Sequence, residues 1–225
     1  MAFALKQTTP PSSEPVSLSD MKLHLRVDID DDDSLIQALI SAARERAEDF
    51  TGRCFVPQTW TFGLDRFPGY HHISAAPSRA DHDRIGWDGM AQWNRSQTIT
   101  IPRSPLIAVT GITYSDQGTG ESITLDPSTY EIDNLSEPGR LKPVYGANWP
   151  VALSDMNSVL IQFTAGYTGT IPATIIAAIK LTCGALYNNR ESFVVGQGNA
   201  VELPYAAEAL LTPYRVLPFG YFGGG

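Results

Sequence analysis

The spacing of apolar residues changes period twice along this chain, and the changes fix the order of what it can build. From residue 16 to 53 apolar side chains recur every three or four positions, from 54 to 170 they alternate in short runs, and from 171 to 212 the longer spacing returns. A period near 3.6 gives a helix one apolar face, and a period of two does the same for a strand. The order is therefore helix, helix, β region, helix, helix, with no internal repeat. Burying the two outer apolar faces against each other makes an α+β fold: a helical bundle from residues 16–53 and 171–212, with an antiparallel β domain at 54–170 inserted into it. Residues 1–15, rich in Pro and Ser, are expected as a flexible leader, and 213–225 as an extended tail.

Within the first helical stretch, Ser17 followed three residues later by Asp20 has the form of a capping box ahead of Leu18, Met21 and Leu25. The stretch DIDDDD at 28–33 then places five aspartates within six positions, directly ahead of an amphipathic run. Asp31, Asp32 and Asp33 fall where a helix cap and first turn belong, and carboxylates there accept free backbone N–H groups and complement the helix dipole. A calcium loop starting at Asp28 fails its own rule, because Asp33 stands where Gly is required and Leu39 where the bidentate Glu is required. Ile36, Leu39, Ile40, Ala43, Ala47 and Phe50 make the apolar face of the second helix. Arg44, Glu45, Arg46, Glu48 and Asp49 make its polar face, and Gly52 follows as the helix end. After Pro172, Ile175, Ile176, Ile179, Cys183 and Leu186 keep helical spacing, and Gly184 among them predicts close approach to another helix. A last helix runs to Pro213.

Between them, TWTFGLDRF, TITIPRSPLIAVTGITYSD, ESITLD, TYEID, GRLKPVYG and NSVLIQFTAGY are short, Thr-, Val- and aromatic-rich strands separated by Gly, Pro and Asp. Residues 69–96 keep no period and predict a long loop, in which Trp87 and Trp93 anchor the chain to the sheet.

The chemistry that composition excludes is as informative. The net charge is −8 and no Lys/Arg cluster occurs, so the chain does not wrap nucleic acid by neutralising phosphates. Only Cys54 and Cys183 are present, with no zinc spacing around either. No nucleophile elbow, phosphate loop, dinucleotide motif or HExxH occurs, so no enzyme activity and no cofactor are expected. His71, His72, Asp81, His82 and Asp83 in the long loop are residue types that bind metals, but adjacent histidines seldom reach one ion, and no metal is expected there. No signal peptide or membrane span is expected. The alternatives are a small metal-dependent enzyme using this loop, or a monomeric β-rich binding module.

The tail is different. Tyr214, Arg215, Leu217, Phe219, Tyr221 and Phe222 follow the last helix, where chain ends are normally polar. Aromatics and Arg are interface hot-spot types, so this segment is expected to dock on a partner, or else on the chain's own surface. A chain ending at Thr212 is expected to keep its fold.

VSLSDMKLHLRVDIDDDDSLIQALISAARERAEDFTGR, ITIPRSPLIAVTGITY, YEID, IQFTAGYT, IPATIIAAIKLTCGALYNNRES and ALLTPYRV, in this order, resemble the head-tail connector (adaptor, head completion) proteins of tailed bacteriophages and gene transfer agents. The resemblance spans residues 16–216 and is one of pattern along the chain. It implies a structural virion protein at the head-tail interface, assembled in the host cytoplasm as a ring, typically of twelve copies. The implied partners are the portal protein above, reached by the tail residues, and a tail-side completion or stopper protein. DNA passes through without specific binding, no membrane is involved, and the acidic cluster of Asp31, Asp32 and Asp33 is a helix start or faces the lumen.

Overall fold

A computed structural model describes residues 3–68, 97–189 and 204–216. Its elements in chain order are β1 (Phe3–Thr9), α1 (Leu18–Leu25), α2 (Asp33–Thr51), β2 (Gln58–Leu64), β3 (Ile99–Thr100), β4 (Leu106–Ser115), β5 (Ser122–Thr124), β6 (Tyr130–Asp133), β7 (Arg140–Pro143), β8 (Val159–Ala165), α3 (Ala173–Asn188) and α4 (Tyr205–Leu211). The fold is α+β. One sheet has the order β1-β2-β8-β4-β5 and a second β3-β7-β6, with every strand pair antiparallel.

Alternation explains the larger sheet. Val159, Ile161, Phe163 and Ala165 of β8 all point inward, and the register lines Phe62, Ile161 and Ile112 up across β2, β8 and β4. With Leu141, Ile99, Tyr130 and Trp149 from the smaller sheet and its flanks, they form one buried cluster. The helices form another, in which Met21, Ile36, Ile40, Ala43, Ala47, Ile175, Ile179, Cys183 and Leu211 meet. Consecutive residues join the two, since Cys54 is buried in the sheet cluster and Phe55 in the helical one.

Helix ends follow local chemistry. Ser17 Oγ accepts from the Asp20 amide at 3.1 Å, as its spacing predicts, and Gly52 closes α2 at φ 71°, its N–H reaching Glu48 O. Gly184 does lie where α3 meets α1: a Cβ there would stand 3.7 Å from His24 Nε2 and Leu25 Cδ2. That is ordinary contact rather than a close approach.

One expectation is corrected. Part of the expected flexible leader is a strand, because residues 3–9 alternate enough to add β1 to the edge of the sheet against β2, and Glu14 is tied to α2 through Ser41 and Arg44. On the polar face of α2, Arg44 and Glu48 turn inward. They are 4% and 5% exposed, because Arg44 binds Glu14 and Glu48, while Glu48 accepts from the Phe55 amide at 2.6 Å and Gln58 Nε2 at 2.9 Å. The segment 69–96, with its histidines, aspartates, Trp87 and Trp93, lies outside the described residues. Among the described residues on either side of it, Trp149 stacks on Phe67 at 5.0 Å and donates to Gln97 O at 2.6 Å.

Candidate assembly surface

The aspartate cluster does start a helix, but by a different route from the one its spacing suggests. Asp32 occupies the N-cap position and Asp33 the first helical residue, yet Asp32 forms no side-chain cap. Its Oδ2 instead accepts from Tyr187 Oη at 2.6 Å, near the end of α3. Lys22 of α1 bridges Asp30 and Asp33 at 2.6 and 2.7 Å. Those hydrogen bonds hold the Lys22 ammonium above its usual range, and Lys22 holds the Asp30 carboxyl below its own. Asp28 and Asp31 remain exposed. The cluster thus locks α1, α2 and α3 together on its inner side and presents carboxylates on its outer side, beside the exposed Ile29 and Leu23.

A second junction forms around Arg53, just beyond the Gly52 helix end. Its guanidinium holds Glu137 with two hydrogen bonds, of 2.9 and 2.5 Å, and its Nε donates to Tyr214 O at 2.6 Å. The paired guanidinium holds the Glu137 carboxyl below its ordinary value. Arg103 supports the same helix end by donating to Glu48 O and Asp49 Oδ1, with its guanidinium 4.8 Å from the Trp60 ring.

Tyr214 and Arg215 are therefore turned onto the chain itself. Tyr214 Oη lies 2.7 Å from Thr174 Oγ1, Arg215 sits over the Phe50 ring at 5.2 Å, and the Val216 amide donates to Thr51 O at 2.8 Å. The other expected docking residues, Leu217, Phe219, Tyr221 and Phe222, lie outside the described residues.

Residues 15–124 match the family of phage gp6-like head-tail connector proteins. The matched span runs from three residues before α1 to the end of β5. No curated protein matches the chain. Among solved structures, a chain from the neck of an empty GTA particle computed with C6 symmetry superposes with a TM-score of 0.68 at 16% identity. A chain from the virion of a native gene transfer agent particle gives 0.65 at 17%, and one from the neck of a native GTA particle computed with C12 symmetry gives 0.61 at 16%. Each match covers 98% of both chains. At these identities the likeness is one of fold.

The matched span contains one side of each junction, Lys22 with the aspartates and Arg53 with Arg103, whereas Glu137, Tyr187 and Tyr214 come from outside it. Sequence reasoning missed the pairing of Arg53 with Glu137, because no local pattern marks two residues 84 positions apart as partners. Among the described residues no group of His, Cys, Asp and Glu is placed to hold a metal ion, and no helix is long and apolar enough to cross a membrane. Burial pushes the Cys54 thiol up to about 12 and the Cys183 thiol up to about 11, which leaves both protonated at neutral pH.

Proposed function

We propose that this protein is a structural component of a virion or gene-transfer particle, assembling as a ring adaptor beneath the portal and joining the DNA-filled head to the tail. One observation carries the reading: a connector segment lies within a chain whose whole length takes the fold of a chain from GTA particle necks. Neck particles treated with C6 and C12 symmetry support a ring of this kind of subunit. A closed ring uses two different faces of each copy, which suits a subunit whose special features are junctions and exposed apolar residues rather than a cleft with catalytic groups. On this reading it is not an enzyme. Residues 217–222 reach the portal, a stopper protein joins from the tail side, and the outward carboxylates of Asp28 and Asp31 border a passage that repels rather than grips DNA.

Deleting the gene in the particle-producing strain tests this directly. The expected result is DNA-filled heads and separate tails by electron microscopy, restored to joined particles by the gene in trans. Complete particles in the deletion strain contradict the reading.

A further inference from the structure

The first strand, β1, is a detachable piece of the sheet. In the strand order it lies at the edge with β2 as its neighbour, and Leu5 packs partly against the sheet cluster while Ala4, Lys6, Gln7, Thr8 and Thr9 are exposed. Main-chain pairing and polar contacts therefore hold it. Gln7 Nε2 donates to Gln58 Oε1 of β2, and Thr8 Oγ1 to Thr59 O at 3.3 Å. On its other side β2 pairs with β8 along its whole length, and Phe62 and Leu64 are buried in the core, so β2 keeps its place whichever strand lies on its edge.

A short hinge follows the strand. Pro10, Pro11, Ser12 and Ser13 lead to a point where the chain is fixed again, because Glu14 accepts from Ser41 Oγ and Arg44 Nε, both at 2.8 Å, and Val16 is buried. Adjacent prolines lock φ and keep the hinge extended. Short, stiff hinges of this kind favour exchange of a strand between identical copies.

Beneath the hinge lies a polar socket for the strand. Gln58, Glu48 and Arg44 are buried, with Gln58 Nε2 donating to Glu48 at 2.9 Å and Arg44 Nη1 at 2.8 Å, and Arg44 carries the line on to Glu14. Gln7 fills the open end of this line at Gln58. All of the socket belongs to β2, α2 and the anchored Glu14, so it accepts Gln7 from either copy.

We infer that in the assembled ring the strand 3–9 of each copy leaves its own β2 and pairs with β2 of the next copy, in the register seen here within one chain. The inference rests on the ring reading proposed above. Each copy then gives its strand to one neighbour and receives one from the other, as a head-to-tail interface requires. From Thr9 to the anchored Glu14 the hinge spans at most about 17 Å, so the receiving β2 edge lies directly beside the donor's α2.

Lys6 and Thr61 are Cα partners in the β1–β2 pairing, so Lys6→Cys combined with Thr61→Cys places two thiols within disulfide reach. Cys54 and Cys183 are buried and do not compete. The double variant is oxidised as a dilute monomer and, separately, in particles from the deletion strain that it complements. The expected result is an intrachain disulfide in the monomer and, from particles, a ladder of covalently linked chains on a non-reducing denaturing gel. Particles built from a mixture of the two single variants should yield linked dimers and no higher rungs. Intrachain disulfides alone, or no disulfide, in the double-variant particles overturn the inference, as does a mixture without dimers. Either result leaves the proposed function standing, because the particles are joined. A protein that never enters particles overturns both.

Discussion

At the scale of single residues, Arg53 joins segments that lie 84 and 161 positions away in sequence. Only a guanidinium fork can hold a carboxylate with two bonds and a carbonyl with a third; lysine presents a point charge. Arg53→Lys is therefore expected to lower stability by about 2–3 kcal/mol, through lost charge-assisted hydrogen bonds, and an unchanged urea midpoint contradicts this. Gly52 was legible from sequence because a helix-ending glycine is a local signal, but Arg53's partners were not, since nothing local marks Glu137 or Tyr214. The aspartates show the same limit. Their position predicts a helix start, while the Lys22 and Tyr187 contacts that engage them depend on how three helices pack. For the cysteines, the thiols stay protonated until the pH passes their raised values, so neither is expected to react with iodoacetamide in the native state at pH 8. From pH 9 up to about 11 for Cys183 and about 12 for Cys54, the unfolded thiols ionise while the native ones stay protonated, so the native state loses stability as the pH climbs. Rapid native labelling of either thiol contradicts the burial.

At the scale of elements, the Ala-Gly-Tyr after β8 has a backbone reason. Gly166 sits at φ 141°, and a Cβ there would lie 2.5 Å from Val56 O, so Gly166→Ala is expected to destabilise by about 3 kcal/mol or more. Gly184 behaves oppositely. Its site has room for a methyl, and Gly184→Ala is expected to raise stability by up to about 1 kcal/mol from helix propensity; a loss in thermal unfolding contradicts this. The C-terminal segment 213–216 separates two truncations. A chain ending at Thr212 loses the Tyr214 contacts with Thr174 and Arg53 and the Val216 bond to Thr51, and is expected to lose about 2–4 kcal/mol, whereas one ending at Val216 keeps them. Equal stability of the two contradicts this placement. Helical and strand periods made most elements legible, because each buries one face. β1 escaped notice because a short edge strand beside two prolines buries little and is held by main-chain pairing to β2, a partner that sequence periodicity does not name.

At the scale of the whole molecule, the two buried clusters meet at Cys54 and Phe55, and the Arg53 junction ties helix end, β loop and the segment after α4 at the same place. A subunit braced there can carry load between its helical and sheet regions, as the proposed function requires. Leu135, Tyr145, Met156 and Tyr205 are among the exposed apolar side chains of the described residues that remain for neighbours. The most direct test of the central claim is native mass spectrometry of the purified protein mixed with portal rings from the same particle. The account predicts a complex holding one closed ring of this protein per portal, with twelve copies as the expected number, formed without DNA. A protein that stays monomeric beside intact portal rings across the micromolar range contradicts it.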